Sequence, residues 1–198
     1  MSSSLSNKRL LPEQMLEDLS EFCLKIESLA QDIGVDVSEL VPDHVALRIN
    51  DQNSAEQAHT EWKNYGREIS NATINGRPII VIELSRKPTL FSHEVECLEL
   101  PFPAKGKYYP QEGWEHVEFV VPSEASNADD FLEELKDKFP VLAERWSVFE
   151  ESGIKTKLSS PKGEGERLPN PTVAFKKNGV CIKLHPWSLK QVVESEAE

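Results

Sequence analysis

The sequence contains no run of about 18 apolar residues, so no membrane-crossing helix is expected. Its opening residues, Met1 to Arg9, have no apolar stretch behind their charges, which argues against a secretory signal. Cysteine is scarce: Cys23, Cys97 and Cys181 are scattered, odd in number and without CxxC spacing. That usage fits a cytoplasmic protein whose cysteines serve as small buried apolar residues. Positive charge is in deficit, with 22 Lys and Arg against 34 Asp and Glu and a net charge of −12. Such a surface repels phosphate backbones, so nucleic acid is not an expected partner.

What is present is an ordinary globular composition, 38% hydrophobic over 198 residues. That length suits one sizeable domain or two small fused modules. Two stretches favour the second option. In Trp114-Glu115-His116-Val117-Glu118-Phe119-Val120-Val121, period two sets His116, Glu118 and Val120 on one face and Val117, Phe119 and Val121 on the other. In Asp43-His44-Val45-Ala46-Leu47-Arg48-Ile49, His44, Ala46 and Arg48 oppose Val45, Leu47 and Ile49 in the same way. Both read acid, His, Val, any residue, large apolar. A repeated strand with its His in one register indicates an internal duplication.

Along the chain, residues 1–11 read as a frayed tail. Leu16, Leu19, Phe22, Ile26, Leu29 and Ile33 recur at helical spacing from Pro12 to Gly34, which predicts an amphipathic helix. A short helical turn is expected over 36–41. The first module then runs strand 43–49, helix 53–65 capped by Asn53 or Ser54 and by Gly66, strands 67–74 and 77–84 about the Asn75-Gly76 turn, and strand 94–100. The second runs strand 114–121, helix 127–139, strands 155–160 and 172–177, and strand 180–184 after Asn178-Gly179. Residues 141–154 fit no single pattern. The polar, Gly- and Pro-rich stretch 159–171 is either a lid over a cleft or a surface excursion. The expected division is a helical segment 1–42, modules 43–104 and 105–190, and an acidic tail 191–198. The fold expected is α+β, two βαβββ modules sharing one curled, mixed, mostly antiparallel sheet.

Two such modules, each opening on a strand with an early His, resemble the vicinal oxygen chelate superfamily, which includes glyoxalase, methylmalonyl-CoA epimerase and extradiol dioxygenases. More closely, Trp-Glu-His-Val-Glu at 114–118, Ser-Ser-Pro-Lys-Gly-Glu at 159–164, Arg-Leu-Pro-Asn-Pro-Thr at 167–172 and His-Pro-Trp-Ser at 185–188 resemble the YecM family, bacterial proteins with a metal-enzyme-like fold. The superfamily resemblance implies a divalent metal in the cleft, held from the first and last strands of each module. It carries over to His44 and His116, and to Glu99 in Cys97-Leu98-Glu99-Leu100-Pro101. Where the last strand of module two would supply a Glu, this chain has Lys183, which has no acceptor and cannot ligate a metal. His185, two residues on and on the same face, is the expected replacement.

Imidazoles with one carboxylate suit Zn, Fe, Ni or Mn, and open positions would let two oxygens of a small substrate chelate. Glu118 or Glu83 is the candidate base, and Arg48 and Lys183 the candidate anchors for a substrate carboxylate or phosphate. The alternative is a metal-free small-molecule binding module in which Lys183 pairs with Glu99 or Glu118. Trp114 and Trp187 are expected as cleft-wall packing. The partner in either case is a small molecule, with the chain a monomer or homodimer.

Overall fold

The computed structural model describes residues 3–160 and 168–196. The chain opens on a short helix, α1 (Ser3–Asn7), where a frayed tail was expected. Leu5 and Leu10 are buried, so apolar burial orders this segment. Helix α2 (Pro12–Ile33) follows, with proline in the first turn, where a missing N–H costs nothing, and Gly34 closing it at φ 79°. It buries Met15, Leu19, Phe22, Ile26, Leu29 and Ile33, and each such side chain contributes roughly 1.5–3 kcal/mol.

A 3-10 turn, Val37–Glu39, leads into β1 (Val41–Arg48). Helix α3 (Gln52–Trp62) is capped by Asp51, whose side chain accepts from the Ser54 N–H. Asn53 and Ser54 therefore lie inside the helix, and Gly66 opens a strand instead of capping. Strands β2 (Gly66–Ile74) and β3 (Arg77–Leu84) join through Asn75 and Gly76, both at positive φ, 53° and 75°, as a tight hairpin requires. A small hairpin, β4 (Thr89–Leu90) with β5 (His93–Glu94), precedes β6 (Cys97–Pro101).

The second module contains β7 (Gly113–Val120), α4 (Ala128–Lys138), α5 (Pro140–Arg145), β8 (Lys155–Ser159), β9 (Thr172–Lys177) and β10 (Val180–His185). Asn127 caps α4. Pro140 ends that helix and also starts α5, and a 3-10 turn, Trp146–Val148, completes the stretch that had no clear sequence pattern. Where an acidic tail was expected from 191, the chain forms α6 (Leu189–Glu196), with Val192 buried. The stretch 159–171, expected as a lid or a surface excursion, lies outside the described residues over 161–167.

Apart from the β4-β5 hairpin, the strands among the described residues build one eight-stranded sheet in the order β2-β3-β6-β1-β7-β10-β9-β8. The two halves of that order mirror each other. The first strands of the modules, β1 and β7, meet antiparallel in the middle. Each pairs parallel with its own module's last strand in one register, His44 opposite Cys97 and His116 opposite Cys181. The other ladders are antiparallel. This is the α+β fold of two βαβββ modules. Val45, Leu47, Val117, Phe119, Ile182 and Leu184 are buried on one face, where α2 and α4 pack. The opposite face carries His44, His116, Glu118 and Lys183.

The edge hairpin depends on close backbone approach at Gly66. A Cβ there would stand 2.1 Å from the Glu83 carbonyl oxygen, too close without moving backbone. Gly66→Ala is expected to lower stability by about 1–3 kcal/mol, read as a lower urea midpoint at unchanged slope.

Candidate metal centre

The pairing of β1 with β7 is interrupted twice, between Pro42 and His44 and between Ala46 and Leu47. In the first interruption Asp43 is the extra residue of β1. In the second Glu115 is the extra residue of β7, since His116 pairs with Ala46 and Trp114 with Leu47. A β-bulge re-aims the side chain it carries. Each acid, which strict alternation would send to the apolar face, turns instead onto the Nδ1 of the following imidazole. Asp43 Oδ2 lies 2.9 Å from His44 Nδ1, and Glu115 Oε2 contacts His116 Nδ1. The same bulge sends Trp114 to the helix side. Its Nε1–H donates to the Met15 carbonyl at 2.6 Å and its ring lies against Phe22, so it is not cleft wall.

With both Nδ1 atoms engaged, both Nε2 atoms face the cleft. They converge on Glu118, whose Oε1 lies 3.5 Å from His44 Nε2 and 3.1 Å from His116 Nε2. Glu99 stands further out, at 3.7 Å from His44 Nε2 and 3.9 Å from His116 Nε2. His44, His116 and Glu118 are all buried, and among the described residues His44 Nε2 has no hydrogen-bond partner. Atoms that share one ion sit roughly 3–3.5 Å apart. The two imidazole nitrogens and the carboxylate offer ligand atoms within 4.8 Å of one another, a borderline N/O donor set that could hold a divalent ion.

Register explains why Glu118 is central to the cluster when it was expected as a base and not as a ligand. It lies opposite His44 on β1 and opposite Lys183 on β10, so neighbours on both sides reach it. Lys183 Nζ is 2.8 Å from Glu118 Oε1 and 3.1 Å from His116 Nε2. Lys183 is also the symmetry counterpart of Glu99, since each lies two residues after the Cys paired with its module's His. Its side chain is 27% exposed, against 1% for His44 and 3% for His116. The ammonium thus enters from the open side of the cluster.

Other expected residues are placed as follows. His185 is buried but stands behind the cluster, with Nε2 3.5 Å from Asp43 Oδ2 and Nδ1 3.4 Å from Glu118 Oε2. It groups with Asp43 and His44 separately from the His44, His116 and Glu118 set. Glu83 is not brought into the cluster. Lys190 at 2.5 Å and Arg67 at 2.8 Å hold its carboxylate, and these contacts lower its pKa to about 2, which leaves it a poor base. Arg48 is paired with Glu115 at 3.0 Å. Asp43, Glu115 and Arg77 were not singled out from the sequence. For the acids the signal was there, because each stands directly before a repeated His.

The family described as YecM protein matches residues 12–196. The chain belongs to the YecM family. It is 36% identical over 185 residues to Protein YecM of Escherichia coli (strain K12), covering 93% of each chain. An uncharacterized protein of Haemophilus influenzae is 38% identical over 181 residues, covering 88% of this chain and 89% of the relative. The solved structure of a protein described as EC4020 superposes with a TM-score of 0.77 at 31% identity, over 93% of this chain and 92% of that one. No helix among the described residues is long and apolar enough to cross a membrane.

Without an ion, the centre of this YecM-family chain is neutralised by protons. Burial works against charge on His44, but the carboxylates of Glu118 and Asp43 outweigh it and raise its pKa to about 10. Burial likewise opposes charge on Glu118, yet the Lys183 ammonium and His44 hold it well below the ordinary carboxylate range. For His44 the folded value exceeds the unfolded value of about 6.5. Its contribution to stability is therefore complete below pH ~6.5 and is lost as pH rises through about 10. For Glu118 the contribution is present above about 4.5 and is lost as pH falls through its depressed value. Thermal melts of the metal-free protein are expected to decline between pH ~6.5 and 10, and His44→Gln is expected to flatten that decline.

Proposed function

We propose that this chain is a metal-dependent enzyme of the isomerase, lyase or dioxygenase kind, acting on a small oxygen-chelating metabolite in the sheet cleft. The observation that carries the reading is the convergence of two buried His Nε2 atoms on one carboxylate oxygen at 3.1 and 3.5 Å, each ring fixed by a bulged acid at its other nitrogen. Metal-binding histidines are characteristically oriented by a carboxylate in this way. The duplicated βαβββ architecture supports the same reading, since it is the one implied by the resemblance to the vicinal oxygen chelate superfamily.

His44, His116 and Glu118 are assigned as the holders of a divalent ion, with Zn, Fe, Ni and Mn the candidates. When bound, such an ion supplies polarisation of a carbonyl oxygen on the ligand. Glu99, just beyond the donor atoms and partly exposed, is assigned to proton transfer with the ligand. Lys183 must leave Glu118 for the ion to enter, and its exposed flank allows it to turn toward an anionic group on the ligand.

A second reading rests on Lys183 itself. Its ammonium, 2.8 Å from Glu118 and 3.1 Å from His116 Nε2, can stand in for the cation, making the cleft a metal-free binding module. Metal analysis of tagless protein, followed by titration with Mn, Fe, Ni and Zn, separates the two. The enzyme reading expects near-stoichiometric uptake of one ion, weakened about 10–100-fold in Asp43→Asn and Glu115→Gln. Lys183→Met is expected to tighten uptake, because it removes a competing cation. Absence of uptake by every metal, together with a destabilised Lys183→Met, would leave only the binding module.

A further inference from the structure

Beyond the His cluster, the same face of the sheet gathers cations that the proposed metal chemistry does not use. Arg48 ends β1 and Arg77 begins β3. Arg77 is half-buried, and its Nη1 donates to the Phe102 carbonyl at 3.0 Å. Arg77 and Arg48 share this face with only β6 between their strands, and burial together with the nearby Arg48 charge lowers the Arg77 pKa. The Tyr109 ring lies 4.0 Å from the Arg48 guanidinium carbon, and Lys176 Nζ lies 5.7 Å from the same ring. In a chain with a net charge of −12, two cations over one aromatic ring and a third on the same face call for a reason.

Arg48 is not satisfied where it sits. Glu115 takes Nη2 at 3.0 Å, but Nε and Nη1 are buried and have no partner among the described residues. A buried donor left unpaired costs about 1–3 kcal/mol, and more when it is charged. Two adjacent guanidinium groups add their mutual repulsion. An oxyanion relieves both costs at once, because guanidinium presents several donors in a plane suited to carboxylate or phosphate. Tyr109 covers the unpaired donors, and its backbone is clamped on both sides. Asn50 Nδ2 donates to the Tyr109 carbonyl at 2.6 Å, and the Tyr109 N–H donates to Asn50 Oδ1 at 2.9 Å. The ring can therefore turn aside about its own bonds while the loop stays in place.

We propose that Arg48, Arg77 and Lys176, covered by Tyr109, form an oxyanion-binding subsite, and that the cleft ligand is a small carboxylate- or phosphate-bearing molecule anchored there. Arg48 is two residues along β1 from Ala46, whose cross-strand neighbours are His116 and Glu99. The backbone of Arg48 therefore lies about 6–7 Å along the strand from that of Ala46, which puts the anchor beside the His cluster. Only a short molecule has its anion that close to chelating oxygens. The link to the His cluster rests on the metal-enzyme reading, whereas the subsite does not.

Calorimetric titration of chelator-treated, full-length protein with inorganic phosphate and, separately, malonate tests the subsite alone. Saturable binding of either anion at millimolar concentration is expected, weakening as salt is raised. Arg77→Gln and Lys176→Gln, each verified as folded by circular dichroism, are expected to weaken it, Arg77→Gln by about tenfold or more. Binding of phosphate alone would support a phosphate ester as ligand, and of malonate alone a carboxylate. No saturation by either anion, or unchanged affinity in both folded variants, would overturn the proposal. Because the protein carries no metal in this experiment, either result leaves the metal reading to its own test.

Discussion

The antiparallel pairing of β1 with β7 sets the positions of both Nε2 atoms. These strands belong to different modules, and each brings one His to the join. The helices bury Val45, Leu47, Val117 and Phe119 on the far face, and this burial fixes the register. A slip of one residue would expose those side chains and turn both imidazoles into the core. The stability of the apolar layer and the geometry of the polar cluster are thus one constraint acting on two faces of the same strands.

The cleft is built from shared acids more than from isolated pairs. Glu118 serves His44, His116 and Lys183. Glu115 serves His116 with one oxygen and Arg48 with the other. That second sharing joins the His cluster to the guanidinium pair. An anion that draws Arg48 away from Glu115 changes how Glu115 holds His116, so the two ends of the cleft are coupled through one carboxylate. Coupled polar networks of this kind strengthen when every member is satisfied and are costly when one is not.

Much of the fold was legible because period-two alternation and the two Asn-Gly turns are local signals. The repeated His register then revealed the duplication. The faces of His44, His116 and Glu118 followed from alternation alone. What alternation could not reveal was its own interruption. Nothing in the residues marks a bulge at Asp43 or Glu115, so Trp114 was assigned to the wrong side and the two acids were given no role. Glu83 shares the cleft register, but Lys190 occupies it, and α6, which supplies that lysine, was read as the end of module two and an acidic tail. Leu5 and Leu10 were missed for a similar reason, since short segments gain their order from what they pack against. Arg77 became visible only once β3 was placed beside β6 and Phe102.

The matching of Glu99 with Lys183 across the pseudo-two-fold has a consequence for direction. A duplicated site with identical halves offers a ligand two equivalent poses, related by the axis, and cannot tell one end of a small molecule from the other. Here one half presents an anion and the other a cation at matching positions. Arg48 and Arg77 lie on the Glu99 side, with β6 between their strands. The two poses are therefore no longer equal in energy, and a bound molecule has a defined front and back. The single exchange of a carboxylate for an ammonium converts a degenerate cradle into one that can tell one end of a small molecule from the other.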